Sequence, residues 1–275
     1  MKTIITSNDK SFLNIAELKK YGGLFRYLSL RDVFVRYKQT KIGFAWSIIR
    51  PIINVLIFGC LSYLVDKTGS FKEKFILVSV GIVFWQLIST ALTDVSNSLS
   101  ANSNILTKVY FPKLLLPASS LLVCIVDFLI AFCILLFLFI AFKGLPPPQI
   151  LLLPLVIVYG LVFAFAIGLF FATAAVKYRD VKFILPFFIQ IMFYASPVFL
   201  SSEFVLQLNM PEFIKVIYQI NPLVFILNAF KFCFYGHFEN FHLVYAVSSI
   251  TITVVLLIGS IKYFLNFEKS FADFI

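Results

Sequence analysis

Apolar runs of about twenty residues recur along this 275-residue chain, and they leave few folds open to it. The stretch 44–65 opens FAWSIIRPIINVLIFG and 75–95 reads FILVSVGIVFWQLISTALTDV. Each is long enough, as a helix, to cross a hydrocarbon layer about 30 Å thick. Further runs lie at 118–142, 150–175, 183–199 and 243–265. Charged residues make up 13% of the chain and hydrophobic ones 61%, with a mean hydropathy of +0.98. A soluble domain of this length needs more charged surface than that. The expected fold is all-α: a polytopic membrane protein with six transmembrane helices.

Between the last two spans, 200–242 carries NMPEF, QINPLVFILNAFKF and FYGHFEN. Its apolar pieces are too short to cross, so short helices that dip into the membrane are expected, their ends shielded by protein or by a watery cavity. Residues 1–16 read as a loose polar tail with no signal-peptide pattern. From Glu17 to about Lys41 the pattern becomes helical. Tyr27, Leu30, Phe34 and Tyr37 fall on one stripe, with Asp32 and Arg36 opposite. That pattern suits a helix at the water–headgroup interface, or an ordinary helix packed on the protein body.

The net charge of +10 would suggest nucleic acid in a soluble chain, but its placement points to the positive-inside rule. With six crossings, sixteen of the 23 basic residues share a side with the N-terminus and six lie opposite. Both termini are thus expected in the cytosol, and no nucleic-acid partner is expected. Arg50 falls inside the first span, where it can snorkel to the headgroups or face a polar interior. Pro51 reads as a kink or as the start of the continuous helix. On the second reading, which is adopted, 42–50 is a bent lead-in that keeps Arg50 at headgroup depth.

Motifs for catalysis are missing. There is no HExxH, no GxSxG, no Walker P-loop, and no cluster of carboxylates on a span. Four scattered cysteines and two histidines make a metal site unexpected. Asp94 sits near the cytosolic end of the second span. Asp127, about ten residues into the third, is the most informative buried acid. It is either a proton or ion site or a hydrogen-bonding partner for another helix. No basic partner is visible in the spans, which favours the second role. Two cytosolic loops exceed what a connector needs: SLSANSNILTKVYFPKLLLP at 98–117 and AAVKYRDVKFILP at 174–186. The first has the make-up of a docking surface for a soluble partner. The second is a basic patch or a plain stop-transfer flank.

Several long blocks resemble the transmembrane subunit of bacterial ABC-2 type polysaccharide exporters, the permeases for O-antigen, capsule and teichoic acid precursors. They are LRDVFVRYKQTKIGFAWSIIRPIINVLIF at 30–58, VGIVFWQLISTALTDVSNSLSANSNILTKVYFPKLLLP at 80–117, VKYRDVKFILPFFIQIMFYASPVF at 176–199 and INPLVFILNAFKF at 220–232. The resemblance implies a transmembrane domain over 24–265, between a polar tail at 1–23 and a cytosolic tail at 266–275. It implies an amphipathic gate helix at 24–41, a coupling helix at 98–113 and a re-entrant pair in 200–236. It further implies a homodimer in the bacterial inner membrane with two copies of a soluble ATP-binding cassette subunit, which binds ATP and Mg. The chain itself is then no enzyme and holds no cofactor.

On that reading Arg36, Tyr37, Trp46, Arg50, Trp85, Phe193 and Tyr194 line the substrate path or touch the head group of the lipid-linked polysaccharide. Asn104, Lys108, Tyr110, Lys177 and Arg179 dock the ATPase. Arg36 and Arg50 bracket the entry to the first span, and the guanidinium fork suits a diphosphate better than lysine does. Alternatives within the superfamily are teichoic acid, capsule, or a small drug or lipid. A membrane acyl- or glycosyl-transferase would need convergent acids or histidines that the chain does not display.

Overall fold

The computed structural model describes residues 20–38, 43–65, 70–108, 111–178, 180–198, 200–268 and 271. Among these the regular structure is helical, with no strand. In chain order the helices are α1 (Gly22–Lys38), α2 (Gly43–Val65), α3 (Phe71–Ala101), α4 (Ser103–Lys108) and α5 (Leu115–Lys143). A 3-10 turn at Pro148–Leu152 leads into α6 (Leu153–Lys177), followed by α7 (Val181–Tyr194) and α8 (Ser202–Gln207). Then come α9 (Glu212–Ile220), α10 (Pro222–Tyr235) and α11 (Leu243–Glu268).

α3 is the axis of the bundle. It starts on a reciprocal cap: Ser70 Oγ accepts the Glu73 amide, and the Glu73 carboxylate accepts the Ser70 amide, each at 3.3 Å. Its 31 residues extend about 46 Å. Nearly every side chain from Ile76 to Leu99 is buried or half-buried, so the helix is walled in on all sides. α6 comes close to it at Gly168, where an added Cβ would lie 2.7 Å from Val95 Cγ1. Ser96 there donates to the Gly168 carbonyl at 3.3 Å. Without a hydrophobic force between helices in lipid, small residues and such polar links are what hold spans together.

Among the described residues five helices are long and apolar enough to cross a membrane, and α9 with α10 form a bent pair that adds a sixth if counted as one span. α7 occupies the position expected for the fifth crossing, but has only 14 residues, about 21 Å, and ends in turns over 195–198. α9 and α10 meet at 66° across Asn221, whose side chain caps α10 by accepting the Leu223 amide at 3.0 Å.

Contacts between α6 and α11 settle how the chain passes through this region. Tyr159 bonds Ser249 at 2.7 Å, Phe170 lies 5.4 Å from Tyr263, and the Lys177 ammonium lies 5.4 Å from the Phe267 ring. Positions rise together on both helices, so α6 and α11 run parallel. Residues 178–242 must therefore carry the chain back across, and α7 to α10 together make one composite crossing. α11 consequently ends beside the start of α1: Leu28, Leu99, Leu116, Phe264 and Phe271 form a second, smaller core there. The described ends of the chain share one face.

Candidate functional site

α1 is held to the bundle by its charges rather than by its apolar stripe. Tyr27, Leu30 and Phe34 are exposed at 47% or more, facing away from the protein. Tyr37, the fourth member of that stripe, turns inward and donates its hydroxyl to Asp127. Of the cations on α1, Arg31 and Arg36 turn toward the protein while Arg26 and Lys38 are exposed.

Arg36, in the last turn of α1, bridges two spans. Nη1 donates to Asp127 Oδ2 on α5 at 2.8 Å, and Nη2 lies 3.0 Å from Asp94 Oδ2 on α3. Cys124 donates its thiol to Asp94 at 3.2 Å. The three charged side chains are 17–34% exposed, so water reaches the cluster but does not dissolve it. The planar fork sends one nitrogen to each carboxylate, so the two contacts sit on separate atoms of one cation. Five residues earlier, Arg31 donates to Asp32 at 2.6 Å and to Asn102 Oδ1 at 2.7 Å. Asn102 is the corner residue between α3 and α4. α1 is thus tied at two levels, to that corner and to the interior of α3 and α5.

One expectation needs revising. Asp127 has a basic partner after all, supplied from outside the spans by Arg36, 91 positions away. Asp32, on the same face of α1, pairs with Arg31.

Arg50 is separate from this cluster. α2 runs unbroken from Gly43 to Val65 with Pro51 inside it, so Pro51 is not the helix start. A proline inside a helix lacks one backbone donor, which spans tolerate when neighbours shield the site, and Pro51 is buried. Gly59 packs beside Phe75 and Tyr63 lies 5.4 Å from Phe71, so α2 and α3 are antiparallel. Extending that register brings Arg50 level with about Phe84 of α3. Its side chain is exposed on the surface of the single chain.

Trp85, Phe193 and Tyr194 do come together. Phe193 sits at the centre, 5.5 Å from Trp85, 5.3 Å from Tyr194 and 4.9 Å from Phe58, a partner that the sequence did not single out. Trp46 lies in the first turn of α2, and its side chain falls outside what is described. On the face shared by the chain ends, Asn104 is exposed on α4 and Lys177 closes α6. Lys108 ends α4, with its side chain outside the described set, as are Tyr110 and Arg179 entirely. Among the described residues no group of three or more metal-ligating side chains converges.

A helix clamped across two spans, a short corner helix and a composite crossing define a multi-pass helical membrane protein. Residues 23–235, from α1 to the end of α10, match the ABC-2 type transporter family, and the chain belongs to that family. It is similar to an O-antigen export system permease protein of Myxococcus xanthus, 26% identical over 260 residues, covering 94% of this chain and 98% of the relative. Two permeases of the same description from Klebsiella pneumoniae are 26% and 25% identical over 240 residues, covering 85% of this chain and 90% of each relative.

Proposed function

We propose that this chain is the membrane-embedded permease of an ATP-driven exporter of lipid-linked polysaccharide, O-antigen being the favoured cargo. The observation that carries this reading is the end-to-end similarity to O-antigen export permeases, which leaves almost no part of either chain unmatched. Two copies would form the path in the bacterial inner membrane, with both termini in the cytosol. Two soluble ATP-binding cassette subunits would bind ATP and Mg and drive the cycle. α4 would dock against them: it is short, it leaves Asn104 exposed, and its corner residue Asn102 is linked through Arg31 to α1.

Tagged permease drawn from native membranes is expected to bring down an ATP-binding cassette subunit. Lys108→Glu combined with Tyr110→Ala should weaken that recovery by about tenfold, the loss of one charge-assisted contact, while the permease still inserts. Full recovery of the ATPase together with normal polymer export would reject the docking role.

Arg36 is held by two carboxylates, so its role on this reading is to position α1. Arg50 is then the arginine offered to an anionic diphosphate head: an exposed cation in an apolar span needs a polar counterpart. Arg50→Lys keeps charge and reach but loses the bidentate fork. Export at matched membrane levels should fall about tenfold if the fork grips a diphosphate. Near-normal export would leave Arg50 as a snorkelling anchor.

A further inference from the structure

At the end of the bundle opposite the termini, a cavity of about 260 Å³ opens between the first turn of α3, the end of α5 and the end of α10. Three lysines converge there from three elements: Lys74, Lys143 and Lys231. Lys74 is 7% exposed and Lys231 only 3%, which is unusual for ammonium groups in any fold. Glu73 and Glu239 also line it, so the cavity carries one net positive charge, to which His237 can only add.

Each carboxylate serves a backbone amide: Glu73 accepts from Ser70 at 3.3 Å and Glu239 from Ser202 at 2.8 Å. Each ammonium brings three donors. Lys231 makes a long bond, 3.5 Å, to the Leu200 carbonyl, and Lys143 lies 4.3 Å over the Tyr235 ring. The Tyr235 hydroxyl is buried on the same wall with no hydrogen-bond partner. The cavity has room for roughly eight waters at about 30 Å³ each.

We propose that this cavity binds the phosphate of a lipid headgroup. A phosphate ester supplies what the walls lack: a negative charge and several acceptor oxygens arranged around one atom, within reach of donors on different helices. Its depth fits as well, since Lys74 and Lys143 stand at the ends of their spans, where headgroups lie. The headgroup belongs either to a phospholipid of the bilayer or to the lipid-linked cargo after crossing. Only the second source, and the assignment to the outer leaflet, rest on the export reading above.

The test uses the purified full-length permease without its ATPase, so its outcome does not depend on transport. Native mass spectrometry would follow retention of two probes, short-chain phosphatidylglycerol and undecaprenyl phosphate. Lys143→Gln and Lys231→Met should each weaken retention about tenfold, as expected for losing one charge-assisted bond. Tyr235→Phe should weaken it less, and Lys215→Gln, on exposed α9, should leave it unchanged. Weakening for phosphatidylglycerol would identify a resident phospholipid site, and weakening for undecaprenyl phosphate alone a site for the exported carrier. If Lys143→Gln and Lys231→Met retain both probes within about twofold of the unmodified chain, the proposal is overturned.

Discussion

Arg36→Met is expected to destabilise the protein more than any other single change in the charged cluster. The substitution leaves Asp94 and Asp127 facing each other between α3 and α5 without their shared cation. Breaking a buried pair from one side typically costs about 3–5 kcal/mol. The lower end applies because a third of the Arg36 side chain is exposed and solvent screens what remains. A loss of about 3 kcal/mol should lower the unfolding midpoint by roughly 6–12 °C in a chain of this size. Arg36→Lys should recover only part of this, since a single nitrogen would have to reach both carboxylates that two guanidinium nitrogens now contact separately. Adding Asp94→Asn and Asp127→Asn to Arg36→Met should restore most of the loss by removing the stranded charges. Thermal unfolding of the purified variants decides it: an unchanged midpoint for Arg36→Met would show that the cluster contributes nothing to stability.

Gly81→Ala should be comparably severe for a different reason. A Cβ built at Gly81 falls 2.1 Å from the Val198 carbonyl oxygen and 3.0 Å from its carbon. Both are main-chain atoms in the turn that ends α7, so no side chain can rotate out of the way. Overpacking a tight core costs about 1–3 kcal/mol, and a backbone collision belongs at the upper limit. Gly259→Ala makes the control, because no atom lies within 4 Å of a Cβ placed there. The first variant should lose folded yield and the second keep it. Equal yields would mean that α3 and the turn can separate freely.

The long spans were legible because their signal is local: composition over twenty residues sets the cost of leaving lipid. The Ser70–Glu73 cap was likewise present in four consecutive letters. The early end of α7 was not legible by length, because FFIQIMFYASPVF stays apolar while Ser196 and Pro197 turn the chain. Pro51 was read as a boundary, but the helix continues through it. The charged cluster was half visible. Arg36, Tyr37 and Asp127 each stood out alone, but no periodicity reports a partner 91 positions away. Counting acids stranded in apolar runs against cations just outside them would have suggested the pairing. Phe58, Cys124 and Asn102 gave no such signal.

The parallel course of α6 and α11 bears on how the chain is delivered into its bilayer. A translocon releases helices sideways into lipid one at a time, and each must be apolar and long enough to stay. No helix between 178 and 242 meets that standard alone. The composite crossing therefore has to be threaded against a scaffold already in place, chiefly α3, whose Gly81 receives the turn after α7 and whose Phe84 stacks on Phe230 of α10 at 4.1 Å. The footing of the last helix thus depends on packing made more than 140 residues upstream, in α3.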